Sequence, residues 1–362
     1  MKREILVVAL LFLSISSCKK AENPVNPSWE LSGKIVYTTW DYESVKNSIY
    51  VLDLSIRNPV PKLLVDEAGE PRVSTDGQTI VFSKISPAGS FDIYRINVDG
   101  SDMVNLTDRQ WVTEGSPDWS PDGQWIIFTG DIPGYERLYI MDRDGKSIHP
   151  ITDTTYYAGF PSWGGPYNWT IAFLYRPPFS YEHSKMRLRT ISPEGSNMVD
   201  LDSMMGGCLP LWSPDSRRIV YDVFMSGVWV IDIFTRIHYL LKTNTLDFSR
   251  VFSPQWMADG SLLAVGSKIA DTSDTKYGIY KIGLGSQGVL SVQKIVDEFK
   301  NSDASGIESP DSHYIGIFGR RQPDQGIYFY IYDRRNSSLE RVAEISPSAT
   351  AYVDPSYAQW LR

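Results

Sequence analysis

Four histidines, His149, His183, His238 and His313, are the first places to look for metal or proton-transfer chemistry. They fall in different segments and keep none of the spacings that bring two ligands to one ion, such as i, i+4 or a Cys-x-x-Cys partner. Asp142-Arg143-Asp144-Gly145 and Asn97-Val98-Asp99-Gly100 look like the start of a calcium loop. Both lack the rest of that pattern and its closing glutamate, and hairpin turns account for them. Gly283-Leu284-Gly285-Ser286-Gln287-Gly288 fits G-x-G-x-x-G, but the residues after it read as a strand. A phosphate cradle needs a helix N-terminus there, so a hairpin is expected instead. No G-x-S-x-G nucleophile elbow is present. The sequence therefore predicts no catalytic residue, no metal site and no cofactor. Its work is expected to be binding, with catalysis at a ring of acidic groups such as Glu114, Glu308 and Asp354 as the competing reading.

The N-terminus carries a different chemistry. Lys2 and Arg3 precede an apolar run from Ile5 to Leu13, too short to span a bilayer as a mature helix. Ile15-Ser16-Ser17-Cys18 follows, and this resembles the lipobox of bacterial lipoproteins. The resemblance implies cleavage before Cys18 and acylation of its thiol, with palmitate-like chains holding the protein to a membrane. Lys19 after the cysteine, rather than aspartate, implies the outer membrane, on either its periplasmic or its surface side. The expected organisation is a signal peptide over 1–17, the lipidated cysteine and a flexible tether over 18–27, and one folded domain over 28–362.

Composition narrows the partners. The chain has net charge −8 and no basic face, which argues against nucleic acid. Cys208 is the only cysteine besides Cys18, so an acylated Cys18 leaves no intrachain disulfide. The fold must rest on its apolar core.

The positioning elements come from a repeat. Pro117-Asp118-Trp119-Ser120-Pro121-Asp122-Gly123 leads into Ile126-Ile127-Phe128, then Leu138-Tyr139-Ile140-Met141-Asp142. Related phrases begin at Pro27, Pro71, Pro161, Pro210, Pro254 and Ser309, giving seven copies. Trp119, Trp163, Trp212 and Trp256 are spaced by 44, 49 and 44 residues. Four short strands per period of about 40–50 residues are the mark of a β-propeller. The expected fold is all-β, a propeller of about seven four-stranded blades, with six as the alternative, closed by N- and C-terminal strands. Asp354 to Trp360 is expected to supply the innermost strand of the blade begun at Ile35, with Pro27 to Trp29 as the alternative. The repeated Trp is expected to pack between blades.

The phrase resembles the repeats of TolB-type propellers over nearly all of residues 27–361. The resemblance implies the propeller fold. It does not carry over TolB's partners, because the N-terminal α/β domain of TolB has no counterpart here.

In such a ring the Ser-Pro-Asp-Gly turns and the turns between third and fourth strands share one face. Longer, varied connections occupy the other: Thr38 to Asn47, Thr154 to Phe160, Tyr175 to Lys185 and Ser267 to Tyr277. Function is expected on that long-loop face, where Trp40, Tyr42, Trp111, Tyr135, Tyr156, Tyr157, Phe160, Phe179, Tyr181, Phe248 and Tyr352 concentrate. At the mouth of the central channel the expected binding residues are Arg72, Glu114, Tyr157, Phe160, Arg250, Glu308 and Tyr352. The whole reads as a monomeric, lipid-anchored envelope propeller that binds or scaffolds protein partners. A metal-dependent lactonase, a glycan lyase and a non-catalytic glycan binder are the alternatives.

Overall fold

Alternating apolar residues and a turn every few positions leave the chain no option but antiparallel sheet. The computed structural model describes residues 31–41, 46–109, 112–132, 135–176, 186–202, 209–223, 227–241, 248–268, 277–299, 304–321, 326–348 and 351–361. Cys18, the tether, Tyr42, Trp111, Phe179, Tyr181, His183 and Cys208 lie outside the described residues.

Seven four-stranded sheets form the blades of a propeller. Blade 1 holds β1 (Lys34–Asp41), β2 (Lys46–Asp53) and β3 (Lys62–Asp66), and blade 2 holds β4 (Ala68–Val73), β5 (Thr79–Ile85), β6 (Phe91–Asn97) and β7 (Val104–Asn105). Blade 3 holds β8 (Thr113–Trp119), β9 (Trp125–Ile132), β10 (Tyr135–Asp142) and β11 (His149–Pro150). Blade 4 holds β12 (Tyr157–Trp163), β13 (Ile171–Arg176), β14 (Arg187–Ile191) and β15 (Val199–Asp202). Blade 5 runs from β16 (Leu211–Trp212) through β17 (Arg218–Val223) and β18 (Gly227–Asp232) to β19 (His238–Leu240). Blade 6 runs from β20 (Phe248–Trp256) through β21 (Leu262–Lys268) and β22 (Tyr277–Leu284) to β23 (Val289–Phe299). Blade 7 runs from β24 (Ser305–Glu308) through β25 (Tyr314–Gly319) and β26 (Ile327–Asp333) to β27 (Ser338–Ser346). The last strand, β28 (Ala351–Leu361), pairs antiparallel with β1 and becomes the innermost strand of blade 1. The C-terminus therefore closes the ring, as the Asp354 to Trp360 phrase predicts.

The tryptophans do pack between blades, and three of the four spaced copies use the indole N–H, while that of Trp163 is buried without a partner. Trp119 Nε1 donates to the Arg72 carbonyl at 3.0 Å, Trp212 to Ser162 at 3.0 Å, and Trp256 to Leu211 at 2.9 Å. In every case the acceptor belongs to the innermost strand of the preceding blade. The residue before the tryptophan returns the bond. Asp118 Oδ2 accepts from the Trp163 amide at 2.7 Å, and Gln359 Oε1 accepts from the Val73 amide at 2.8 Å. Pro-x-Trp is thus an inter-blade clasp as well as an apolar wedge.

The Ser-Pro-Asp-Gly turn is equally local. Ser120 Oγ donates to Asp122 Oδ1 and accepts from the Trp125 amide, while Asp122 also accepts from the Gln124 amide. Gly123 takes the left-handed position at φ 67°, and Ser216 and Ser312 occupy it in other blades at 55° and 59°. In blade 6, burial alone would raise the Asp259 carboxyl. Its bonds to Lys281 and Ser261 outweigh that and hold it at about 2, against an ordinary 3.8. The folded state then binds fewer protons than the unfolded state, so this contribution is full above 3.8 and disappears as pH falls towards 2. Asp259→Asn is expected to lower stability by about 1 kcal/mol at neutral pH. It should also flatten the decline in urea midpoint on acidification through that window. An unchanged acid profile would show that the turn carboxylate carries no such linkage.

The Gly283 to Gly288 match is a hairpin between β22 and β23, as expected, with the Gly285 amide bonded to the Gly288 carbonyl. The 38–47 connection is shorter than expected. Thr38 to Asp41 extend β1 and pair with Lys46 to Ile49 of β2. Trp40 therefore stands in a strand rather than a loop.

Candidate functional site

The innermost strands do not run straight. β4, β8, β12 and β20 each shift register just before their Pro-x-(Trp/Val) phrase. A proline has no N–H to give the ladder, so a bulge there costs no hydrogen bond. The residue before it takes a left-handed conformation: Glu70 at φ 56°, Ser116 at 49°, Phe160 at 53° and Ser253 at 51°. Such a conformation costs a non-glycine residue about 1–2 kcal/mol. It also turns the side chain out of the regular alternation.

In three consecutive blades the bulge residues meet. Glu70, Ser116 and Phe160 line one cleft of about 420 Å³ at the long-loop end of blades 2, 3 and 4. Thr113, Glu114, Thr129, Asp131, Glu136, Tyr157 and Phe91 complete most of its wall. Glu70 is a brace: Oε2 accepts from the Ser116 amide at 2.6 Å and from Ser83 Oγ at 3.0 Å. Its Oε1 accepts from Ser116 Oγ at 3.0 Å and Tyr357 Oη at 3.4 Å.

Glu114 is only 1% exposed. Its Oε1 accepts from Arg109 Nε at 2.8 Å, and the Arg109 guanidinium lies over the Tyr139 ring at 5.1 Å. Oε2 is buried on that same face of the sheet, near Thr107, while Thr129 Oγ1, on the opposite face and on the cleft wall, makes no hydrogen bond. Burial pushes the Glu114 carboxyl up, although Thr107 and Arg109 pull it back. Burial raises Glu136 too, against the bond it accepts from Tyr157, and the charge of Asp131 adds to the rise. Burial and the Glu136 charge raise Tyr157, while Arg176 sits 4.6 Å from its ring centre.

Of the expected binding residues, Glu114, Tyr157 and Phe160 are brought together in this cleft. Arg72 stands nearer the channel axis and is committed elsewhere. It donates to the Ser356 carbonyl at 2.8 Å, lies 3.7 Å from Asp118 Oδ1 and covers the Tyr357 ring at 4.6 Å. Tyr352 is half-buried at the long-loop end of β28, opposite Trp40. Arg250 holds a backbone position in β20 opposite Ser267, and its side chain, like those of Tyr135 and Phe248, lies outside the described part of the structure. Glu308 falls at the other end of its strand, in the place other blades give to tryptophan. It accepts from the Ala258 amide at 2.7 Å and from Arg334 at 2.8 Å. Glu308 and Glu114 therefore stand at opposite ends of their strands and do not converge on one ligand. Asp354, raised by burial, accepts instead from the Ser356 amide at 2.9 Å. Among the described residues no three His, Cys, Asp or Glu side chains are grouped to hold a metal.

Glu70, Ser116, Thr129, Asp131 and Glu136 escape the sequence reading. Aligning the phrases would have exposed Glu70 and Ser116, since they share the pre-proline position with Phe160. Asp131 and Glu136 carry no motif, because their meeting depends on the β9–β10 register.

Comparison with known proteins agrees with this geometry. Residues 16–190 match the family described as TolB beta propeller domain. An uncharacterised protein of Agrobacterium fabrum is 29% identical over 177 residues, 44% of this chain and 60% of its own. The chain thus spans about 60% of the length of that curated relative. Among solved structures, an oligogalacturonate lyase in complex with manganese superposes with TM-score 0.61 at 14% identity, over 86% of both chains. TolB from Acinetobacter baumannii superposes with TM-score 0.53 at 15% identity, over 92% of this chain and 67% of its own. At such identities the likeness is one of fold. Seven blades, a repeated Pro-x-Trp clasp and the match over residues 16–190 together make this chain a seven-bladed β-propeller similar to the TolB beta propeller family.

Proposed function

We propose that the protein is a lipid-anchored module of the bacterial cell envelope, monomeric, that binds a protein partner at the long-loop cleft of blades 2 to 4. One observation carries this reading: three successive inner strands accept backbone strain to turn Glu70, Ser116 and Phe160 into a single cleft. Strain at a shared position, over-determined by its surroundings, is what binding sites hold. The lipobox at Cys18 supports the envelope location, and the outer membrane follows from Lys19.

Immobilised full-length protein, incubated with envelope extract, is expected to retain a protein partner. Tyr157→Ala and Phe160→Ser should each reduce that retention by roughly tenfold if they act as interface anchors. Recovery of neither protein nor glycan would overturn the binding module. Recovery undiminished by both substitutions would move the site away from this cleft.

A further inference from the structure

Asp131 and Glu136 face each other directly across β9 and β10. Like charges in that relation destabilise a sheet, and both sit in a cleft that also holds Glu70 and Glu114. The Arg109 charge is engaged by Glu114 Oε1, and Arg176, which lies over the Tyr157 ring, offsets Glu136 only in part, since its carboxyl stays raised. On the face of the sheet that carries Asp131 and Glu136, Thr129 Oγ1 is at least nine-tenths buried and makes no hydrogen bond. An unpaired buried acceptor is costly, and it is relieved only by a donor that enters the cleft. Tyr157 and Phe91 supply ring surface beside these groups.

We infer that this cleft receives a protonated amine or guanidinium group, which neutralises the Asp131–Glu136 pair and donates to Thr129 Oγ1. The inference rests on the binding role proposed above and gives it a ligand chemistry. A lysine or arginine side chain of a partner and a free polyamine both present this group. Its several N–H donors can reach the two carboxylates and the Thr129 hydroxyl together, and its charge suits the aromatic wall.

The test uses the full chain in mild detergent, titrated calorimetrically with four probes: Ac-Gly-Lys-Gly-NH2, Ac-Gly-Arg-Gly-NH2, spermidine and the neutral control Ac-Gly-Gln-Gly-NH2. Calcium and manganese chlorides form a fifth arm. Saturable binding of at least one cationic probe is expected, with none of the glutamine peptide. Preference for the peptides assigns the group to a protein side chain, and preference for spermidine to a polyamine. The double variant Asp131→Asn/Glu136→Gln should weaken binding by at least about tenfold. That variant also removes the repulsion, so the unliganded protein should melt no lower than the wild type, which separates lost binding from lost folding. Equal binding of the glutamine peptide, affinity unchanged in the double variant, or binding of divalent ions alone would overturn the inference. A partner still captured through Tyr157 and Phe160 would then leave the binding module standing without its cationic ligand.

Discussion

Deleting residues 351–362 is expected to abolish the cooperative unfolding transition of the propeller. β28 closes the ring by pairing with β1 along its length, from Lys34 opposite Leu361 to Asp41 opposite Ala351. Val353 is fully buried, and Ala351, Tyr357 and Ala358 are nearly so. Each large apolar side chain buried there contributes about 1.5–3 kcal/mol. The strand also ties its neighbours. Ser356 accepts from Arg72, Gln359 accepts from the Val73 amide, and the Trp360 ring packs edge-on against Phe329. Losing all of this removes a free energy comparable to the whole stability of a domain, about 5–15 kcal/mol. It also bares the β1 edge, a template for aggregation. Urea unfolding followed by tryptophan fluorescence should show a broad, non-cooperative loss of signal, with the truncated chain largely insoluble. A sharp transition at the wild-type midpoint would show that the ring does not need its closing strand. Gln359→Ala, which removes one clasp, should cost only about 1 kcal/mol.

The same strand shows what could be read from the sequence and what could not. The closing role of Asp354 to Trp360 was legible because a Trp-ending strand phrase without a following hairpin suits the innermost place of the first blade, although the pairing with β1 was needed to choose it over Pro27 to Trp29. Blade number and turn chemistry were legible for a related reason: Ser120, Asp122 and Gly123 interact with residues at most five positions away. The site was half legible. Tyr157 and Glu114 could be placed at the long-loop end because strand direction in a propeller is fixed. Glu308 could not, since its copy of the repeat has glutamate where tryptophan normally marks the short-turn end. Asp131 and Glu136 depend on pairing register, which no local signal reports. The pre-proline bulge lay in plain sight, yet its consequence follows only when three blades stand side by side.

Cys18→Ser is expected to move the protein from the membrane fraction to the soluble fraction. Acyl chains on the thiol and the new N-terminus would contribute about 0.8 kcal/mol for each buried methylene, so two or more chains would hold the protein through repeated washing. Among the described residues no helix is long and apolar enough to cross a membrane. Fractionation with an immunoblot reads the result, and a substituted chain that still sediments with membranes would refute lipidation. The fold adds a second readout. β1 begins beside the end of β28, with Ser32 accepting from the Trp360 indole, so the chain enters the propeller at its short-turn end. The cleft opens at the opposite end of the same inner strands. Released and anchored protein are expected to bind the same ligand with the same affinity. A released protein with altered affinity would mean that the membrane covers or completes the cleft.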